Sequence, residues 1–200
     1  MAIANTPKPK PLQFKKRGKG DKKKVLIYGP DGSGKSTYAE KYCKKNGLKP
    51  VVLDIEDTNY TELPMLTEFD MSSDVKSYRG LKETITSIKE SDEFDTIIID
   101  GVDSIIESFI SDSNGLKAYS DRTKTFLRFM RDCTMSDKNL IFIGQSPVDI
   151  NWYKGDENPN KCIIKLYAIV NENYKCTYNF NVETVKYRVY GEKQSLKKEE

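Results

Sequence analysis

Histidine is missing altogether from the 200 residues. That removes the His-based nucleophile relays, the His general bases and the His metal sites, since histidine alone pairs a near-neutral pKa with a ring nitrogen for a metal. Cysteine is scarce: Cys43, Cys133, Cys162 and Cys176 are the four, with no pair at C-x-x-C spacing. That pattern speaks against a zinc site and against the disulfide framework of a small secreted domain. Long apolar runs are missing too. Mean hydropathy is −0.65, no stretch approaches the roughly 20 apolar residues of a membrane span, and no apolar leader core stands at the N-terminus. The expectation is a soluble protein of a reducing cytoplasm, without membrane contact.

Charge of one sign is hardly in excess, with 33 Lys+Arg against 30 Asp+Glu and a formal net charge of +3. Its placement is uneven. Residues 1–24 hold nine bases (Lys8, Lys10, Lys15, Lys16, Arg17, Lys19, Lys22, Lys23 and Lys24) and the single acid Asp21, leaving 24 bases and 29 acids for residues 25–200. A basic arm precedes a mildly acidic body. The arm also carries Pro7, Pro9 and Pro11 and few apolar anchors, so it is expected to be extended or disordered, because so little burial does not offset the ordering entropy. The length suits one domain. We read an arm over 1–23, a core over 24–190 and a charged tail over 191–200.

From Lys24 onward, apolar runs alternate with longer amphipathic stretches, the pattern of a parallel sheet with crossover helices. Val25-Leu26-Ile27-Tyr28 predicts a buried strand. Ser36 to about Asn46 predicts a helix stopped by Gly47, and Val51 to Ile55 a second strand. Residues 57–77 read as loop with at most a short helix, given Pro64 and Ser72-Ser73. Tyr78 to Glu90 predicts a helix with Leu81, Ile85 and Ile88 on one face. Thr96 to Asp100 is a third strand, apolar as strands covered on both faces tend to be. Asp103 to Phe109 starts a helix with Asp103 as its N-cap, and Tyr119 to Cys133 is a further helix with Phe126, Leu127 and Met130 as its stripe. Leu140 to Gly144 predicts a fourth strand, Pro147 to Lys161 a polar loop, Cys162 to Val170 a fifth strand, and Tyr174 to Tyr190 an antiparallel hairpin. The fold class expected is α/β, a mostly parallel central sheet with flanking helices and a C-terminal antiparallel hairpin.

Gly29-Pro30-Asp31-Gly32-Ser33-Gly34-Lys35-Ser36, followed by Thr37, fits G-x-x-x-x-G-K-[ST]. Glycines let successive backbone N–H groups turn inward around an anionic phosphate. Lys35 reaches the β- and γ-phosphates and the Ser36 hydroxyl serves Mg²⁺. The N-terminus of the following helix adds its partial positive charge. A chance Gly-rich turn would lack the strand running straight in and the amphipathic helix running straight out; both are present.

Three further residues gain meaning from this loop. Asp100 ends an apolar strand and suits the Mg²⁺ water shell opposite Ser36; Asp103 competes for the role but sits past the strand. Position 101, where AAA+ ATPases usually carry a catalytic Glu, is Gly101. Glu56 instead follows the second strand, at a tip that lines the ligand crevice of a parallel sheet, placed to polarise water; without the phosphate loop it would be a solvated loop acid. Gln145 follows the fourth strand, either as a γ-phosphate contact or as a turn residue, and spacing alone does not choose.

The succession GPDGSGKST, VVLDIE, TIIID, LIFIGQ, a polar loop and IIKLYAIV resembles the RecA-like P-loop NTPase core over roughly residues 24–190. In length it looks like the phage-encoded RecA-like single-strand-annealing ATPases. The resemblance implies a Mg²⁺-dependent ATPase stimulated by DNA, taking ATP and Mg²⁺, with Lys35, Glu56 and Gln145 as catalytic groups. It further implies DNA loops at about 111–119 and at 147–161, the latter with Trp152, Tyr153 and Lys154, and a homo-oligomer whose ATP site is completed across a subunit boundary by Lys186 and Arg188. Single-stranded DNA is the expected partner, with Lys15, Lys16 and Arg17 of the arm as further contacts, and a single-strand-binding or other replication protein as a second. Two rival functions remain open: a nucleotide-dependent adaptor akin to a helicase loader, and a small-molecule (nucleotide) kinase. The kinase lacks an evident arginine-rich lid, the six arginines being scattered (Arg17, Arg79, Arg122, Arg128, Arg131, Arg188).

Overall fold

A computed structural model of the chain describes residues 22–56, 58, 60–66, 78–109, 115–149, 160–177, 182–184, 187–190 and 195–198. Its strands are β1 (Lys24–Tyr28), β2 (Pro50–Asp54), β3 (Met65–Leu66), β4 (Thr96–Asp100), β5 (Asn139–Gly144), β6 (Glu172–Cys176), β7 (Val182–Thr184), β8 (Tyr187–Tyr190) and β9 (Ser195–Lys198). The helices are α1 (Lys35–Asn46), α2 (Arg79–Glu90), α3 (Val102–Ser108), α4 (Leu116–Thr134) and α5 (Lys161–Tyr167).

Seven strands form one sheet in the order β3-β2-β4-β5-β1-β6-β7, parallel except for the β6–β7 pair, while β8 and β9 make a separate antiparallel pair. Period-two alternation divides the sheet's side chains between two helical layers. Leu26, Leu53, Ile97, Ile99, Leu140 and Phe142 pack with α2, α3, α4 and α5, whereas Val25, Ile27, Val52, Ile98, Ile141 and Ile143 pack with α1. Strands β4 and β5 are thus apolar on consecutive positions because both faces are covered. Each fully buried isoleucine there contributes about 1.5–3 kcal/mol relative to exposure.

Strand order positions the site. The chain leaves β1 for β2, which lies three places away, then steps back through β4 and β5 before crossing to β6 on the far side of β1. Such a reversal opens a crevice at the C-terminal strand tips. Backbone bonds keep those tips level: Ile55 N–H donates to Asp100 O (3.1 Å), Gly101 N–H to Ile143 O (3.1 Å) and Gly29 N–H to Gly144 O (3.3 Å).

Several expectations need correction. The run Cys162–Val170 is no strand: Lys161–Tyr167 is helix α5, with the Asn160 side chain accepting from Cys162 N–H at its N-terminus. The strand beyond β1 is instead β6, most of which the predicted hairpin includes; it runs parallel to β1 and pairs antiparallel with β7. A short apolar run suits a buried helix as well as a strand. Here Lys161, Lys165 and Ala168 are exposed and the residues between them buried, which is helical spacing. Helix α4 begins at Leu116, so residues 116–119 are helix rather than part of a DNA loop, and Leu127 is 38% exposed while Phe129 and Cys133 join Phe126 and Met130 in the core. Asp103 is not the N-cap of α3; Gly101 is, with Asp103 in the first turn. The short edge strand β3 was not foreseen.

Candidate nucleotide site

The phosphate loop forms between β1 and α1 because its neighbours leave it one path. At Gly29 a Cβ would stand 2.3 Å from the carbonyl oxygen of Cys176 on β6, so any side chain there would collide with backbone. Pro30 O accepts from Ser33 N–H (3.3 Å) and from Lys35 Nζ (3.0 Å). Gly32 and Gly34 have φ of 70° and 82°, the turn of a backbone nest whose N–H groups converge. Ser33 is buried and its hydroxyl finds no hydrogen-bond partner among the described residues. Asp31, exposed at the rim, lies 3.8 Å from Lys35 Nζ.

A cleft of about 360 Å³ opens at the strand tips, lined by this loop, by Ser36 and Thr37, and by Glu56, Thr58, Asp100 and Gln145. Lys35, Ser36, Glu56, Asp100 and Gln145 therefore meet in one place; Gly29, Pro30 and Ser33 belong to the loop but not to the cleft lining. Two chains of contacts cross the cleft. Lys35 Nζ donates to Gln145 Oε1 (3.3 Å), Gln145 Nε2 donates to Glu56 Oε2 (3.1 Å), and Ser104 Oγ donates to Glu56 Oε1 (2.8 Å). In the other, Ser36 Oγ donates to Asp100 Oδ2 at 3.0 Å, and Tyr60 Oη donates to the same oxygen at 2.5 Å.

Gly101 explains where the second carboxylate comes from. A Cβ at Gly101, which has φ of 94°, would stand 2.7 Å from Glu56 Cγ. The space beside Asp100 that a residue after β4 would fill is filled by the Glu56 side chain from β2.

Electrostatics follow burial. Asp100 is 2% exposed, and that burial raises its carboxyl pKa, opposed by the hydrogen bonds from Tyr60 and Ser36 and reinforced by the nearby Glu56 and Asp54. Asp103 is pushed up to about 6, chiefly by burial, against the N–H it accepts from Gln145; that bond is 3.1 Å long. Burial and the Asp100 charge drive the Tyr60 hydroxyl well above its ordinary range.

The residues present fit a Mg²⁺-nucleotide. A hydroxyl and a carboxylate stand together as hard oxygen donors, the almost wholly buried Asp100 carboxylate gains from a nearby cation, and the loop holds the buried Ser33 hydroxyl, unpartnered among the described residues. No group of three or more Cys, Asp and Glu among the described residues makes a separate metal cluster.

Sequence reasoning missed Thr58, Tyr60 and Ser104. Residues 56–59 are polar throughout, so no alternation there sets Thr58 or Tyr60 apart. Lys15, Lys16, Arg17, Trp152, Tyr153, Lys154 and Lys186 lie outside the described residues, and Arg188 falls in β8. No helix among the described residues is long and apolar enough to cross a membrane.

A family model described as an AAA domain matches residues 21–168. No curated protein matches the chain. Among solved structures, the flagellar accessory protein FlaH from Methanocaldococcus jannaschii is similar at 13% identity and a TM-score of 0.42, with 88% of this chain and 89% of that chain covered.

Proposed function

The chain belongs to the AAA-domain family, and from that premise we propose that it is a Mg²⁺-dependent ATPase that binds single-stranded DNA and promotes its annealing or remodelling. The carrying observation is the convergence of Lys35, Ser36, Asp100, Glu56 and Gln145 on one cleft. Lys35 and the loop N–H groups would neutralise the β- and γ-phosphates. Ser36 and Asp100 would hold Mg²⁺, which when bound supplies positive charge to the phosphate oxygens. Glu56 would take a proton from water as the water oxygen bonds to the γ-phosphorus and the bond to the bridging oxygen breaks. Ser104 and Gln145 aim that carboxylate from two sides. Gln145, shared between Lys35 and Glu56, would report the γ-phosphate to the segment that follows β5.

The DNA reading draws on the basic arm and on the aromatic pair Trp152 and Tyr153 in the segment after β5. We extend it to a homo-oligomer, a phage recombination setting in a bacterial cytoplasm, completion of the ATP site by Lys186 and Arg188 of a neighbouring copy, and contact with another replication protein. Against a nucleotide kinase stands the cleft itself, where no arginine is found among the described lining residues. An adaptor would bind nucleotide with little turnover.

The test is paired substitution. Lys35→Ala is expected to abolish nucleotide binding. Glu56→Gln is expected to leave binding within about 3-fold while lowering kcat by roughly 10²–10⁴-fold, the usual weight of a general base. Wild-type turnover in Glu56→Gln removes this mechanism.

A further inference from the structure

The segment after β2 does more than deliver Glu56. Ile55 N–H ties it to Asp100 O, Thr58 N–H donates to Asp54 Oδ1 (3.0 Å), and Tyr60 N–H meets Met65 Sδ (3.2 Å) on β3. Tyr60 is 8% exposed and packs in the α1-side core with Val52, Leu63 and Met65. A buried tyrosine must find an acceptor for its hydroxyl. This one uses Asp100 Oδ2, the oxygen that Ser36 also reaches.

We propose that Tyr60 is a positioning residue for Asp100, a clamp that fixes the carboxylate for the cation and ties it to the segment carrying Glu56. The proposal rests on the reading of Ser36 and Asp100 as the cation-holding pair. Three facts favour clamping over mere packing. The hydroxyl ends on a carboxylate that is itself almost wholly buried, so Asp100 has few ways to turn. Both donors converge on one oxygen, which sets the plane of the group. And Glu56 and Tyr60 stand four residues apart on one segment, which Ile55 N–H ties to β4 just before Glu56 and the Tyr60 hydroxyl ties to β4 at its other end, so an Asp100 displaced for want of its clamp would also loosen the seat of Glu56. Partners of metal-holding groups typically cost 10–100-fold in metal affinity when removed.

Tyr60→Phe keeps the ring and deletes only the donor. In the full chain, Mn²⁺ binding is followed by electron paramagnetic resonance with saturating non-hydrolysable ATP analogue, and fluorescent-nucleotide binding is measured in chelator. The expected result is a Mn²⁺ midpoint raised about 10-fold, nucleotide affinity in chelator unchanged, and turnover that recovers as metal is raised. In an Asp100→Asn background, Tyr60→Phe should add nothing, because it acts through that carboxylate. An unchanged midpoint overturns the clamp. So does a shift that persists in the Asp100→Asn background, or one in which both binding curves and the melting temperature fall together, which is the mark of packing alone. Wild-type protein with no metal-dependent nucleotide binding at all overturns the functional reading and the clamp with it.

Discussion

At the scale of single residues, the site turns on which of two neighbouring strands supplies a carboxylate. Gly101 and Glu56 contend for one volume: with a Cβ at 101 only 2.7 Å from Glu56 Cγ, a side chain on β4's exit and a glutamate on β2's exit exclude each other. The absence of an acid at position 101 is therefore the complement of the acid at position 56. Gly101→Ala tests this directly. The methyl group must displace the Glu56 side chain, and the backbone at φ 94° disfavours it further, so stability should fall by about 1–3 kcal/mol. More telling is the kinetic split. Misplacing a catalytic group by about 1 Å can cost 10²-fold, so kcat should drop roughly 10–100-fold while nucleotide affinity, measured by fluorescence titration, holds within about 3-fold. Equal losses in both would mean that the loop, not the carboxylate, had moved.

Among the elements, what was legible in the sequence divides by the range of the forces involved. The strand–loop–helix of β1 and α1 is specified locally, by an apolar run, a glycine pattern and Gly47 closing the helix, and its bounds were read within a residue. Asp100 was equally plain, since three consecutive isoleucines of β4 run straight into the acid. Helix α5 was not, because Cys162, Ile163, Ile164, Leu166 and Tyr167 satisfy a two-face buried strand until Lys161 and Lys165 are weighed as a helical i, i+4 pair. Tyr60 was invisible for a different reason: its hydroxyl finds Asp100 only after β3 docks on β2, a pairing of two residues that no local pattern announces. The α5 assignment has a measurable consequence. Leu166 is fully buried and Lys165 exposed, so in urea denaturation Leu166→Ala should cost about 2–5 kcal/mol, whereas Lys165→Ala should stay within about 0.5 kcal/mol. A comparable loss at both positions would contradict the helix.

For the whole molecule, charge and architecture point in opposite directions along the chain. The sheet gathers its chemistry at one set of strand tips, while the body carrying those tips is mildly acidic and the bases are concentrated before Lys24. A body of that sign repels a polyanion, so the proposed DNA contact draws its electrostatic part from the arm. That makes its salt dependence diagnostic. For single strands, log K falls with log salt at a slope of about −0.7 for each phosphate neutralised. Replacing Lys15, Lys16 and Arg17 together with glutamine in the full chain should therefore flatten the slope by about 2, weaken binding of labelled single-stranded DNA in anisotropy titrations between 50 and 200 mM salt, and abolish most of any DNA stimulation of hydrolysis. Hydrolysis without DNA should be unaffected, because the three are assigned to DNA and none of them to the nucleotide. An unchanged slope with undiminished stimulation would locate DNA contact in the body instead, where the segment after β5 holds Trp152 and Tyr153. Stacking on those rings would depend far less on salt than on the identity of the two aromatics.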